Sequence, residues 1–181
     1  MRSEMAHVVI HVAVSLDGAT TGFTPDVRTF YALARTWEED VTLCGADTIL
    51  AQDLSQAPQP GPDPDGPELI VADRRGRIDA ATVERLRNAG HWSSARRSDE
   101  ALGPLLEGLG VVRVDSGGVL NGALLAAGLV NEISLLVHPL LVGDAPRWYG
   151  GAPAPTALEL VAVDALDGGL AWLRHRTVKA P

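Results

Sequence analysis

Asp115-Ser116-Gly117-Gly118 ends an apolar run (Val111, Val112, Val114) and leads into a short helix-like segment that Gly128 can close. A strand that feeds a glycine pair at a helix N-terminus suits a phosphate. Glycine lets a ligand approach the backbone, and the helix start offers unpaired N–H groups with a partial positive charge. The alternative is a plain strand-to-helix turn, in which the glycines only ease the backbone. Three other polar turns follow apolar runs and carry the same ambiguity. In Ser15-Leu16-Asp17-Gly18, Asp17 either bonds its own turn or stands at the C-terminal end of a central strand, where open α/β sheets bind ligands. In Gly45-Ala46-Asp47-Thr48, Thr48 either caps a short helix or meets a phosphate. In Arg74-Arg75-Gly76-Arg77, Arg74 is either an exposed turn residue or a guanidinium for the 2′-phosphate of a dinucleotide.

Several chemistries have no motif here. There is no G-x-G-x-x-G fingerprint with a following acidic residue, no P-loop and no Gly-x-Ser-x-Gly elbow. Histidines and carboxylates show no metal-ligand spacing, so no metal is expected. His11, in the middle of an apolar run, reads as a buried, hydrogen-bonded core residue. His138 before Pro139 and the lone Cys44 read as structural, and Glu38 and Glu39 as solvated residues at a helix end.

The elements that position these turns follow from periodicity. His7–Ser15 is a nearly continuous β-branched run, as in a strand buried on both faces. Thr24-Pro25-Asp26 opens a helix that buries Val27, Phe30, Tyr31, Ala34 and Trp37 at helical spacing. Val41–Cys44 is a strand ending at Gly45. Ala57–Pro67 holds five prolines, two glycines and two aspartates in eleven residues and reads as a loop. Glu68–Ala72 is the next strand, and Asp79 caps a helix to about Ala89, stopped by Gly90. His91–Ala95 reads as a short strand. Ser98 caps a helix burying Leu102, Leu105, Leu106 and Leu109. After a strand from Ile133 to Val137, Leu158–Leu166 and Leu170–Val178 form two strands joined by Asp167-Gly168-Gly169, a hairpin signature. Alternating strands and helices imply an α/β fold: a mostly parallel central sheet, helices on both faces and a C-terminal antiparallel hairpin.

The 181 residues fit one domain, 1–181, with 46% hydrophobic and 21% charged residues. A net charge of −8 argues against nucleic acid as a partner. No apolar run is long enough for a membrane span, and the N-terminal segment reads as a folded strand rather than a signal peptide. A single cysteine excludes an intrachain disulfide and points to a reducing, cytoplasmic setting.

Taken together, SLDG (15–18), CGADTIL (44–50), LIVADRRGRID (69–79) and VDSGGVLNGALLAAGLVNEISLLVHPLLVG (114–143) resemble the reductase domain of bacterial riboflavin biosynthesis, which has the dihydrofolate reductase-like fold. The resemblance implies an NADPH-dependent reductase that turns a ribosylamino-pyrimidine phosphate, 5-amino-6-(5-phosphoribosylamino)uracil, into a ribitylamino product. It implies that Gly117, Gly118, Val119, Leu120, Asn121 and Gly122 contact the cofactor pyrophosphate, with Thr48 beside them and Arg74 at the adenosine end. It also implies that Asp115 faces the substrate, that Arg35 binds the substrate phosphate, and that Asp17 lies near the nicotinamide and ribose, orienting a substrate hydroxyl or delivering a proton. A homodimer is suggested in the same way. Two segments depart from the family's pattern, both on the substrate side. The stretch AQDLSQAPQPGPDPDG has no arginine where the family places one for substrate, and the segment between SLDG and the first helix is shortened to ATTGFTPD. A pterin substrate such as dihydrofolate, or a non-catalytic nucleotide-binding role, are the alternatives.

Overall fold

β1 (His7–Ser15) lies inside an eight-stranded sheet and is buried along most of its length, as its unbroken apolar run predicts. The computed structural model describes residues 4–151 and 155–178. β2 (Val41–Gly45), β3 (Glu68–Ala72), β4 (Ser94–Ser98), β5 (Val111–Val114) and β6 (Glu132–His138) run parallel to β1, and β7 (Leu158–Ala165) and β8 (Ala171–Thr177) close one end as an antiparallel hairpin. The order across the sheet is β4-β3-β2-β5-β1-β6-β8-β7. The α/β architecture expected from the sequence is present.

Alternation sorts the side chains between the two faces. On one face Val8, Ile10, Val12 and Val14 of β1 and Val112 and Val114 of β5 pack under α4 (Leu102–Leu106) and α5 (Gly118–Ala126), through Leu105, Leu106, Leu120 and Leu124. On the other face two separate clusters form. Phe30 of α1 (Val27–Ala34) packs with Leu136 and Leu170. Leu86 of α3 (Ala80–Arg87) packs with Leu69, Val71 and Ile49 of α2 (Ala46–Leu50). Between them the sheet is left uncovered over β2 and β5, and that gap positions the site.

Helix starts follow their caps. Asp79 accepts a hydrogen bond from the Thr82 N–H, as expected. The cap of α1 is Asp26 rather than Thr24: its carboxylate accepts from both the N–H and the hydroxyl of Thr29, so Pro25 falls just outside the helix. Such a cap contributes about 1 kcal/mol. α1 is only eight residues long, so its helical face buries Phe30 and Ala34 but leaves Val27 and Tyr31 more than half exposed, at 57% and 54%; Trp37 is buried from a following 3-10 turn.

Two further expectations are corrected. The strand placed at His91–Ala95 lies at Ser94–Ser98, because its pairing with β3 and not its polar sequence SARRS sets its bounds. Ser98 therefore ends a strand, and α4 begins at Leu102 after Ala101, whose side chain offers no cap. The proline-rich segment is a loop, but a pinned one: the Gly61 N–H donates to the Asn88 carbonyl and the Asp63 N–H to the Trp92 carbonyl.

Candidate active site

Four turns leave the C-terminal ends of parallel strands side by side: Ser15–Gly18 after β1, Gly45–Thr48 after β2, Asp73–Arg77 after β3 and Asp115–Gly118 after β5. The second and fourth are joined through hydroxyls. The Gly45 N–H donates to Ser116 Oγ at 3.0 Å, Ser116 Oγ and Thr48 Oγ1 are 3.1 Å apart, and the Gly117 N–H donates to Thr48 Oγ1 at 3.3 Å. Neither α2 nor α5 has a side-chain cap, so both helix starts face this junction with backbone N–H groups lacking intrahelical acceptors.

The glycines of α5 have distinct surroundings. A Cβ on Gly118 would lie 2.5 Å from the Arg147 carbonyl oxygen, and one on Gly122 would overlap the Gly150 carbonyl. The close approach these two glycines permit is made by the chain's own segment 147–150, whose Gly150 N–H donates to the Gly118 carbonyl at 2.8 Å. Gly117, in contrast, faces open space. Leu120 belongs to the core. Asn121 is fully buried, its side-chain amide donating to the Ser116 and Trp148 carbonyls. Val119 is 74% exposed. A ligand at this helix start therefore meets Gly117, the first-turn N–H groups and Val119, but not the side chains of Leu120 or Asn121.

Asp17 is a latch. Its carboxylate accepts from the Ser15 hydroxyl at 2.5 Å, from the Gly143 N–H at 2.8 Å and from the Val142 N–H at 3.2 Å, tying the turn after β1 to the chain after β6. These bonds, the Ser15 hydroxyl foremost, pull its pKa down to about 2. A carboxyl ionised to that degree carries no proton near neutral pH, so the expectation of proton delivery does not suit it. The same strap brings the exposed Arg147 beside Gly18, 3.5 Å from where a Cβ there would sit.

Arg74 is exposed on the turn after β3 and makes no ion pair among the described residues, whereas Arg77 pairs with Asp47 at 2.7 Å. That turn is built on buried Asp73, which accepts from the Ile78 N–H at 2.8 Å.

Arg35, Asp115 and Thr48 come together. They line one cavity of about 1090 Å³ over the uncovered face of β2 and β5, walled by α1, α2 and the Asp65–Pro67 and His91–Trp92 segments. Its floor holds residues that the sequence reading passed over. Arg113 of β5, with a side chain only 6% exposed, donates from Nε to Glu39 at 2.5 Å and from Nη1 to Asp115 at 3.3 Å. Glu39, expected to be solvated, also accepts from the Thr42 hydroxyl at 2.8 Å. Period-two alternation in VVRVD was the available signal, since it puts Arg113 and Asp115 on one face. The Cys44 thiol donates to the Asp115 carbonyl, and burial pushes its pKa up, which keeps it an inert thiol as expected. At the cavity mouth, loss of hydration followed by the Asp115 charge raises Tyr31 to about 12, so its phenol remains a donor. Among the described residues no group of three or more His, Cys, Asp or Glu is placed to hold a metal, and no helix is long and apolar enough to cross a membrane.

His11 and His138 are structural, as expected. The Trp172 indole donates to Ser134 Oγ at 2.8 Å; Ser134 lies 2.9 Å from His11 Nδ1, and His11 Nε2 lies 2.9 Å from the Phe30 carbonyl. The carbonyl can only accept, so Nε2 carries a proton, and burial, which lowers the ring's pKa to about 4, keeps it neutral near pH 7. His138 Nε2 accepts from the Asp26 N–H at 2.9 Å, fastening the start of α1 to the end of β6.

A comparison with curated proteins finds no match. Among solved structures, the fold is similar to RibD of Acinetobacter baumannii at a TM-score of 0.70 and 19% identity, over 96% of this chain and 58% of that one. This chain thus spans under two thirds of that relative. It is also similar to the Saccharomyces cerevisiae riboflavin biosynthesis reductase Rib7, at a TM-score of 0.65 and 16% identity over 96% and 90% of the two chains. A third likeness is to dihydrofolate reductase from Enterococcus faecalis, solved with NADP(H), at a TM-score of 0.63 and 12% identity over 99% and 100%. The family model of the RibD C-terminal domain matches residues 6–172. With nearly the whole chain matched and the sheet order and strand-end turns in place, the protein belongs to the RibD C-terminal domain family and has the dihydrofolate reductase-like fold.

Proposed function

We propose that this protein is an NADPH-dependent reductase of a ribosylaminopyrimidine. The observation that carries the reading is the junction of Gly117, Thr48 and Ser116, which presents two uncapped helix starts beside a large cavity lined by Arg35 and Asp115. A pyrophosphate fits this junction: Gly117 has free space over its Cα, and the first-turn N–H groups of α5 supply donors. Arg74, unpaired at the end of β3, is the residue for a 2′-phosphate.

When bound, the cofactor would supply a hydride, and the protein would bind and orient the reactants. Reduction of a C=N bond adds the hydride to carbon and a proton to nitrogen. Asp115 holds a donor edge of the substrate, its position fixed by Arg113. The Tyr31 phenol, which keeps its own proton, can hydrogen-bond the substrate nitrogen, while water in the open cavity provides the net proton. Asp17 acts at one remove, by holding the strap over the strand ends.

NADPH titration followed by cofactor fluorescence and thermal stabilisation tests the cofactor half of this reading, and absence of both effects refutes it. Arg74→Ala should weaken NADPH much more than NADH; equal effects would remove its phosphate role.

A homodimer is part of the same reading. β7 is an edge strand with Leu158, Leu160, Val161 and Val163 all between 41% and 59% exposed, an unpaired apolar edge of the kind that monomers avoid. Val163→Lys should shift the sedimentation coefficient to that of a monomer.

A further inference from the structure

Resting on the reductase reading above, we infer that the compound received by the cavity over β2 and β5 carries no phosphate: it is an uncharged, amino-bearing nitrogen heterocycle. Two guanidiniums, of Arg35 and Arg113, face four carboxylates, of Glu38, Glu39, Asp65 and Asp115, among the described residues of the lining. Even a protonated His91 leaves that balance negative. Arg113 cannot serve an incoming anion, because its buried head group is already divided between Glu39 and Asp115. Only Arg35, exposed at the rim, remains. Of the stretch Ala51–Gly66, which carries no basic residue, Gln52 and Asp65 reach the lining, and neither adds a cation. A phosphate dianion placed here would meet four carboxylates and a single uncommitted guanidinium, whereas phosphate sites pair each anion with arginine forks or several N–H donors.

The negative lining is also held at a backbone cost. Glu38 is the non-glycine residue with positive φ among the described residues, at φ 44° and ψ 54°, and this left-handed turn sets its carboxylate at the cavity wall. A residue that carries a Cβ is disfavoured in that region. Asp115 shows what the cavity wants. Its Oδ2 takes the Arg113 hydrogen bond, while Oδ1 makes none among the described residues, and the side chain is 30% exposed. Oδ1 is an acceptor waiting for an N–H or amino group, and Tyr31 and Trp92 add ring surface for a flat partner.

The test compares 5-amino-6-(ribosylamino)uracil with its 5′-phosphate on the full chain, by calorimetric binding in the presence of NADPH and by NADPH oxidation. At least tenfold tighter binding of the compound without phosphate is expected. Equal or tighter binding of the phosphate, or binding of neither compound, overturns the inference. The double variant Glu38→Gln/Asp65→Asn, both exposed positions, should shrink the discrimination at least threefold; unchanged discrimination overturns charge as its cause. Preferential binding without NADPH oxidation would refute the reductase reading and leave the inference standing, so the two failures are distinct.

Discussion

Arg113 Nε and Glu39 Oε2 meet at 2.5 Å on the cavity floor, with 6% and 12% of the two side chains exposed. The pair couples β5 to the turn before β2 and fixes Asp115 through the other arm of the guanidinium. Removing one partner from such a pair leaves a buried charge without compensation. Arg113→Met should therefore cost about 3 kcal/mol in urea unfolding. The double variant Arg113→Met/Glu39→Gln should recover at least half of that loss, because it deletes the orphaned charge as well. Equal losses in the single and double variants would show that the two residues are not coupled.

The scaffold was largely legible because it rests on apolar periodicity, and the cavity was not because it rests on what the helices leave bare. β1, β3 and the C-terminal hairpin announce themselves as apolar runs bounded by turn residues. β4 does not: SARRS is polar, and its strand is imposed by pairing with β3. Glu39 looked solvated because nothing local indicates that Arg113, 74 positions away, lies opposite it. The two readings of the glycine pair divide between its members, since Gly118 is shaped by segment 147–150 whereas Gly117 faces open space. Periodicity marks which side chains go inward; it does not say which part of a sheet face the helices fail to cover.

His11 makes stability depend on pH. Burial, partly offset by its hydrogen bond to the Phe30 carbonyl, pushes its pKa down from 6.5 to about 4. The unfolded chain therefore takes up this proton more readily than the folded one. The contribution is complete above about pH 6.5 and is lost progressively as pH falls toward 4, to a total of about 3 kcal/mol. Unfolding free energies measured from pH 7 to pH 4 should show this decline, and His11→Gln should flatten it. An equal slope in the variant would assign the decline to other groups.

Asp17 predicts a separation between structure and chemistry. Its folded pKa of about 2 lies below the ordinary 3.8, so its stabilising effect is present above pH 3.8 and is lost as pH falls toward 2. Asp17→Asn keeps the size of the side chain and weakens its charge-assisted bonds to Val142 and Gly143. Hydrogen exchange at those two amides should speed up and Tm should fall. The pH profile of NADPH oxidation should keep its shape between pH 5 and 9, because Asp17 does not titrate there. Loss of a limb of that profile would restore Asp17 as a proton carrier.

Gly117 and Gly122 separate ligand from packing within one helix start. A methyl group at Gly122 must displace the Gly150 carbonyl, an overpacking that costs about 1–3 kcal/mol. At Gly117 the backbone is extended, φ −88° and ψ −172°, and nothing lies within 4 Å of a new Cβ. Gly122→Ala should therefore lower Tm with or without cofactor. Gly117→Ala should leave the Tm of the free protein unchanged and raise the Kd for NADPH at least tenfold, because its methyl group occupies the space proposed for the pyrophosphate. If Gly117→Ala binds NADPH as tightly as the parent, the cofactor does not pass over this residue, and the open space at the end of β5 needs another occupant.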